Sequence, residues 1–141
     1  MKPSDPNTFF HPKNVYLETL GCSKNRVDSE IMLASLKSRG YQLTMKPEEA
    51  EVIIINTCAF LTAASEESIS RILELSDYKA AGVCKKLVAA GCLSQRYREA
   101  LLKEIPELDG LLGSSDFQQI PMLIDQLYAV KDHPQIFISP K

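Results

Sequence analysis

The run Val52-Ile53-Ile54-Ile55 limits most strongly what this chain can fold into. Four β-branched residues in succession favour a strand, and an apolar run without polar alternation is typical of a strand covered on both faces. Other strand-like apolar runs occur at residues 15–21, 87–91 and 110–113. Strands of this kind occur mainly in parallel sheets that lie between layers of helices.

Segments with helical spacing separate these runs. Helices are predicted at about 25–39, 62–80 and 95–104, the third capped by Ser94, and a last helix is predicted from Phe117 to Leu127. A short strand is predicted at about 41–45. The alternation predicts an α/β fold: a doubly wound, five-stranded parallel sheet of flavodoxin-like order 2-1-3-4-5, with helices on both faces.

Length and composition indicate one domain. We expect residues 1–14 to be a flexible leader, 15–130 the ordered domain, and 131–141, where periodicity is lost, a linker. Hydrophobic residues at 45% and charged residues at 24% are typical of a globular chain, and no apolar run approaches a membrane span. We therefore expect no membrane partner. No secretory signal is recognisable at the start, so the cytoplasm is the expected compartment.

The charge pattern argues against one class of partner. The net charge is −2, with acidic and basic residues interspersed. Direct nucleic-acid binding is not expected of this domain, because no basic stripe is present to neutralise phosphates.

Three of the predicted strands end in a cysteine, namely Cys22, Cys58 and Cys92. The carboxyl ends of parallel strands face one crevice, where ligands bind. In the order 2-1-3-4-5 the three strands are neighbours at a spacing of roughly 4.8 Å, so the thiols would span about 10 Å. Three thiolates leave one open position on a tetrahedral zinc ion or on one iron of a [4Fe–4S] cluster. The sequence therefore predicts a metal or iron–sulfur centre at this edge.

Other residues near the cysteines have two interpretations. Lys24, Asn25 and Arg26 either contact cluster sulfurs, a polysulfide or a substrate carboxylate, or form a solvated loop. We expect Asn56 and Thr57 to satisfy backbone groups at the strand end, with donation to sulfur as the alternative.

Cys84 is a different case. It precedes the fourth strand, at the opposite edge of the sheet, and is expected to be structural. The same structural interpretation stays open for the other three cysteines, since free cysteine is often a small core residue.

Three local motifs carry a family resemblance. They are Gly21-Cys22-Ser23-Lys24-Asn25-Arg26-Val27-Asp28-Ser29-Glu30, Asn56-Thr57-Cys58-Ala59-Phe60 with Ala64-Ser65-Glu66-Glu67-Ser68-Ile69, and Gly91-Cys92-Leu93-Ser94-Gln95-Arg96-Tyr97. The chain resembles the amino-terminal domain of the radical S-adenosylmethionine methylthiotransferases over about residues 15 to 128. Within that family it is more similar to the enzymes that modify an aspartate of a ribosomal protein than to those that modify tRNA. Ser23 stands where the pattern usually has proline, and Cys84 matches no family motif.

The resemblance implies that Cys22, Cys58 and Cys92 ligate an auxiliary [4Fe–4S] cluster whose free iron takes part in sulfur delivery. It also implies a second [4Fe–4S] cluster and S-adenosylmethionine in a radical domain of the same protein. A small-subunit ribosomal protein is the implied substrate. This chain has no CxxxCxxC motif, so the isolated domain is not expected to be catalytically competent.

Three other functions stay open. One is the corresponding domain of a tRNA methylthiotransferase. The second is a zinc or redox module on the same fold. The third is a flavodoxin-like or receiver-type partner-binding domain whose cysteines are incidental.

Overall fold

The computed structural model describes residues 14–21, 23–59, 62–130 and 133–140. Within these ranges a single parallel sheet has the order β2-β1-β3-β4-β5-β6. The strands are β1 (Asn14–Thr19), β2 (Gln42–Leu43), β3 (Val52–Thr57), β4 (Lys86–Gly91), β5 (Gly110–Leu112) and β6 (Gln135–Phe137). The α/β class and the parallel sheet are confirmed.

Helices connect the strands. They are α1 (Ser23–Ser38), α2 (Thr62–Ser76), α3 (Tyr78–Ala81), α4 (Cys92–Tyr97), α5 (Glu99–Glu104) and α6 (Ile120–Ala129). Short 3₁₀ turns occur at Pro47–Glu49 and Phe117–Gln119. In the described part of the chain, no helix has the length and apolar character that crossing a membrane requires.

The predicted helix at 95–104 is corrected in two ways. It begins at Cys92, and it is interrupted at Arg98, whose φ is 49°. Ser94 therefore lies inside α4, where its hydroxyl donates to the Ala89 carbonyl at 2.7 Å instead of capping the helix. The prediction failed because α4 follows β4 without a loop, which the local pattern does not reveal.

The prediction of five strands is wrong, because β6 extends the sheet within the segment expected to be a linker. Gln135 pairs with Gly110, and Phe137 pairs with Leu112. A strand of three half-buried residues between two prolines is too short to produce a period-two pattern. Of the expected leader, Asn14 begins β1, whereas residues 1–13 lie outside the described part of the chain.

Strand β3 is the centre of the sheet. All six of its side chains are buried, and it pairs with β1 on one side and β4 on the other. Ile54 packs in one core with residues of α1 and α6, whereas Ile53 packs in a second core with residues of α2, α4 and α5. Each fully buried isoleucine contributes about 1.5–3 kcal/mol. This packing fixes the carboxyl ends of β1, β3 and β4 beside one another.

Candidate metal centre

Cys58 and Cys92 are the two predicted ligands that the structure describes, and they leave neighbouring strands at the same level. Thr57, the last residue of β3, pairs with Gly91, the last residue of β4. Cys58 and Cys92 are the next residues, and both are half-buried free thiols. The pairing register therefore brings these two turns together at the carboxyl edge of the sheet, where adjacent strands are about 4.8 Å apart.

Cys22 lies outside the described residues, but Gly21 before it is described. Leu20 donates its N–H to the Asn56 carbonyl at 2.9 Å, so the chain leaves β1 alongside β3. Gly21 has φ 90°, and a Cβ placed on it would lie 3.0 Å from the Cys58 sulfur. Gly21 is thus packed against the Cys58 side chain, at a φ that favours glycine.

Ser68 of α2 fixes the backbone of Cys58. The Cys58 N–H donates to the Ser68 hydroxyl oxygen at 3.0 Å, and the hydroxyl donates to the Cys58 carbonyl at 2.8 Å. Ser68 is fully buried. No role is predicted for Ser68 from the sequence. The available signal was its place beside Ile69 in the motif Ala64-Ser65-Glu66-Glu67-Ser68-Ile69.

Of Lys24, Asn25 and Arg26, it is Asn25 that faces the site. It is 3% exposed, and its side-chain nitrogen donates to the carbonyls of Leu20 at 2.6 Å and Thr57 at 3.1 Å. Lys24 is exposed and pairs with Asp28 at 3.1 Å, and Arg26 is also exposed. The solvated interpretation therefore fits Lys24 and Arg26, whereas Asn25 binds backbone.

Asn56 and Thr57 also bind backbone, as expected. The Asn56 side-chain nitrogen donates to the Asn25 carbonyl at 2.9 Å. The Thr57 hydroxyl donates to the Ala90 carbonyl at 2.6 Å and accepts the Leu93 N–H at 3.1 Å. Both asparagine and threonine are fully buried, so these bonds form without competition from water.

Cys84 lies at the opposite edge of the sheet, before β4. It is 5% exposed in the core that contains Ile53 and Leu87, and its thiol donates to the Lys86 carbonyl at 3.3 Å. Burial raises the pKa of the Cys84 thiol to about 11. A protonated, buried thiol is a poor metal ligand, which agrees with a structural role.

The donor set at the carboxyl edge fits a metal that prefers sulfur. Cysteine thiolates bind zinc and iron–sulfur clusters, and Cys58 and Cys92 supply two of them. No group of three potential ligands occurs among the described residues, which do not include Cys22. Gly21, whose missing side chain leaves room beside the Cys58 sulfur, brings the third turn to the same place.

The fold and the site define a class: an α/β domain that presents cysteine thiols at the carboxyl edge of a parallel sheet. Residues 14–113 match the model of the family described as "Uncharacterized protein family UPF0004", and the chain belongs to this family. Together with the relatives below, this match confirms the resemblance to the methylthiotransferase amino-terminal domain.

The relatives are ribosomal protein uS12 methylthiotransferases named RimO. The protein from Myxococcus xanthus (strain DK1622) is 54% identical over 113 residues, which cover 80% of this chain and 24% of the relative. That from Anaeromyxobacter sp. (strain K) is 50% identical over 115 residues, covering 82% and 24%. That from Acetivibrio thermocellus (strain ATCC 27405) is 48% identical over 120 residues, covering 85% and 26%. This chain spans about a quarter of the length of these curated relatives.

Proposed function

We propose that this chain is the domain of a methylthiotransferase that binds an auxiliary [4Fe–4S] cluster through Cys22, Cys58 and Cys92. The supporting observation is the register of the sheet, in which Thr57 pairs with Gly91 directly before two of the cysteines. The close approach of Gly21 to the Cys58 side chain supports the third ligand.

The whole enzyme would transfer a methylthio group to the β carbon of an aspartate in a small-subunit ribosomal protein. Two observations support this substrate over tRNA: the names of the relatives, which specify protein uS12, and the residues of the three motifs. A radical domain of the same protein would hold the second [4Fe–4S] cluster and S-adenosylmethionine. We propose the reducing cytoplasm as its compartment, because free thiols persist there.

The proposed organisation is a domain over residues 15–130 followed by a connection to the radical domain. We infer a doubly wound sheet of flavodoxin-like order with one added strand. The inference is supported by the strand order and by the two cores, which take alternate residues of β3.

The chemistry at the site divides between the cofactor and this chain. A [4Fe–4S] cluster held by three protein thiolates supplies one iron with an open position for an exogenous sulfur. Ser68 holds the backbone of Cys58 at its N–H and carbonyl, and Thr57 holds the N–H of Leu93 beside Cys92. Cys58 and Cys92 are half-buried, so each residue is partly accessible to solvent.

Anaerobic reconstitution of the 141-residue chain with ferrous iron and sulfide tests the proposal. We expect a brown protein with about four irons per chain, the content of one [4Fe–4S] cluster. Replacing Cys22, Cys58 or Cys92 by serine is expected to reduce iron and sulfide content strongly. Cys84→Ser is the matched control and is expected to retain the full content.

Two results would contradict this proposal. Binding of one zinc ion per chain without iron uptake would favour the zinc or redox module. Unchanged iron uptake after replacement of all three cysteines would make them incidental. For the whole enzyme, a CxxxCxxC motif after Lys141 in the reading frame is the expected finding, and its absence from the frame would argue against a radical enzyme.

A further inference from the structure

The polar side chains beside the cysteine turns form one connected set of hydrogen bonds. The hydroxyl groups of Thr19 and Ser29 are 2.6 Å apart, and the Asn56 side-chain nitrogen donates to Ser29 at 3.1 Å. The same nitrogen donates to the Asn25 carbonyl at 2.9 Å. The set thus runs from β1 through α1 to β3, the elements that flank the first two cysteines.

Asn25 bridges the first two turns. Its side-chain nitrogen donates to the carbonyl of Leu20, two positions before Cys22, and to the carbonyl of Thr57, one position before Cys58. A primary amide provides two N–H donors from a single atom. Asn25 is 3% exposed, so loss of this amide would leave two carbonyls short of a donor in a place that water reaches poorly.

Thr57 bridges the second and third turns. Its hydroxyl donates to the Ala90 carbonyl and accepts the Leu93 N–H. Ala90 and Leu93 stand on either side of Gly91 and Cys92 in the sequence. The single hydroxyl therefore uses both its donor and its acceptor capacity to attach the turn after β4 to the end of β3.

We propose that Asn25 and Thr57 are positioning residues that hold the carboxyl ends of β1, β3 and β4, which the three cysteines follow, in a fixed arrangement before any metal binds. Three of their four side-chain bonds join segments that are distant in sequence, and only the bond from Asn25 to the Leu20 carbonyl is local. A purely local role would not require the three distant bonds. When the ligands are ordered in advance, metal binding does not have to supply the free energy needed to order them. The identity of the bound metal group rests on the proposed function, but the arrangement of these strand ends does not.

The test measures thiol proximity in the metal-free chain, so it does not depend on cluster assembly. A bifunctional thiol-reactive crosslinker is added to the reduced protein, and the rate of each crosslink is obtained from digestion and mass spectrometry. Thr57→Val is expected to slow the Cys58–Cys92 crosslink roughly three- to tenfold, because the hydroxyl that joins their turns is lost. Thr57→Ser keeps a hydroxyl and is expected to restore a rate close to that of the unaltered chain.

Asn25 is tested through the Cys22–Cys58 crosslink. Asn25→Asp presents acceptors to two carbonyl oxygens and is expected to slow this crosslink by a similar factor. Asn25→Gln retains both donors but displaces them by one methylene, so it is a second variant that carries no new charge. Asn25→Gln is expected to slow the Cys22–Cys58 crosslink more than the Cys58–Cys92 crosslink.

Ile53→Val is the matched control for stability. Ile53 is fully buried near the amino end of β3, and removing one methyl group there destabilises the fold by an amount similar to the loss of one hydrogen bond. We expect its crosslinking rates to be unchanged. If Ile53→Val slows crosslinking as much as Thr57→Val does, both act only through stability, and the inference is overturned.

Iron uptake by the same variants separates this inference from the proposed function. If the unaltered chain takes up no iron while Thr57→Val still slows crosslinking, the cluster proposal fails and the positioning role stands. If the unaltered chain takes up iron and Thr57→Val changes neither uptake nor crosslinking, the positioning role fails and the cluster proposal stands.

Discussion

Asp116, after β5, binds Ser139, after β6, through both oxygens of its carboxylate. The Ser139 N–H donates to one oxygen at 2.9 Å, and the Ser139 hydroxyl donates to the other. Asp116 is 3% exposed. The side-chain nitrogen of Gln95 in α4 donates to the Ser139 carbonyl at 3.1 Å. The last segment of the described chain is thus attached to the helix that begins at Cys92.

Replacement of Asp116 is expected to loosen β6. Asp116→Ala removes the acceptor for two groups of Ser139, so we expect a loss of about 1–3 kcal/mol in the free energy of unfolding. The Gly113 N–H, which donates to the Phe137 carbonyl at 2.9 Å, should exchange faster with deuterium. Asp125→Ala, which removes the partner of the Tyr41 hydroxyl, is the control. Unchanged protection of Gly113 in Asp116→Ala would contradict this role.

Much of the sheet could be predicted from the sequence. The run at 52–55 predicts β3 because consecutive β-branched residues favour a strand buried on both faces. Apolar runs without consecutive β-branched residues located β1, β4 and β5. Strand β6 could not be predicted, because its three residues are held by pairing with β5 and by the bonds of Asp116 to Ser139. These contacts are distant in sequence and leave no local pattern.

The candidate site shows the same division. The common edge of Cys58 and Cys92 could be predicted, since parallel strands place their carboxyl ends together. The bridging roles of Asn25 and Thr57 depend on the pairing of Thr57 with Gly91. The pairing register of two strands is a property of the assembled sheet. The bridging roles of Asn25 and Thr57 therefore could not be predicted from the sequence.

Cys84 is expected to react slowly with thiol reagents near neutral pH. Its pKa is raised to about 11 by burial, and the thiolate is the reactive form, so at pH 7 only about one Cys84 thiol in ten thousand is ionised at any moment and labelling is correspondingly slow. Labelling with iodoacetamide at several pH values, followed by mass spectrometry, measures this. Rapid labelling of Cys84 in the folded chain at pH 7 would contradict the burial of its thiol.

The same thiol links stability to alkaline pH. A thiol whose pKa is raised by folding stabilises the fold below its ordinary pKa of 9.0, and this contribution is lost as pH rises to about 11. The loss is on the order of 2 kcal/mol. Burial also raises the pKa of Tyr41 and Tyr128, so the comparison is with Cys84→Ala, in which both tyrosines remain. Parallel stability curves for the two proteins between pH 9 and 11 would refute this linkage.

Glu18 is expected to contribute to acid sensitivity. Burial acts to raise its pKa, but hydrogen bonds from Arg71 and Tyr16 prevail and lower it below the ordinary value of 4.5. Its stabilising contribution is therefore present above pH 4.5 and is lost as pH falls through the lowered value. Glu18→Gln should destabilise the fold by about 1 kcal/mol at pH 7 and reduce the slope of stability against pH in acid.

Glu74→Gln provides the control for Glu18. Glu74 also pairs with Arg71, at 3.5 Å, but its side chain is 66% exposed, so its removal should change stability little. Urea denaturation at pH 3, 5 and 7 measures all three proteins. Equal losses for the two variants at pH 7 would mean that the part-buried hydrogen bonds to Glu18 add nothing to the stability of the fold.

Gly91→Ala is expected to disrupt the turn that carries Cys92. Gly91 has φ 96°, and a Cβ there would lie 2.7 Å from Asn56 Oδ1 and 2.9 Å from the Thr57 carbonyl oxygen. The carbonyl belongs to the central strand and cannot move aside. Asn56 is also held, because its side-chain nitrogen donates to the Asn25 carbonyl. The substitution therefore adds a steric clash to the cost of the left-handed backbone, which is about 1–2 kcal/mol.

Gly40→Ala separates these two costs. Gly40 has φ 91° and is exposed after α1, so an alanine there incurs the backbone cost without the clash. We expect Gly91→Ala to be less stable than Gly40→Ala by about 1–3 kcal/mol in urea denaturation, and to take up less iron on reconstitution. Equal destabilisation by the two substitutions would mean that β3 moves to make room for the added methyl group. In that case the close packing of Gly91 against Asn56 and Thr57 would not constrain the position of Cys92.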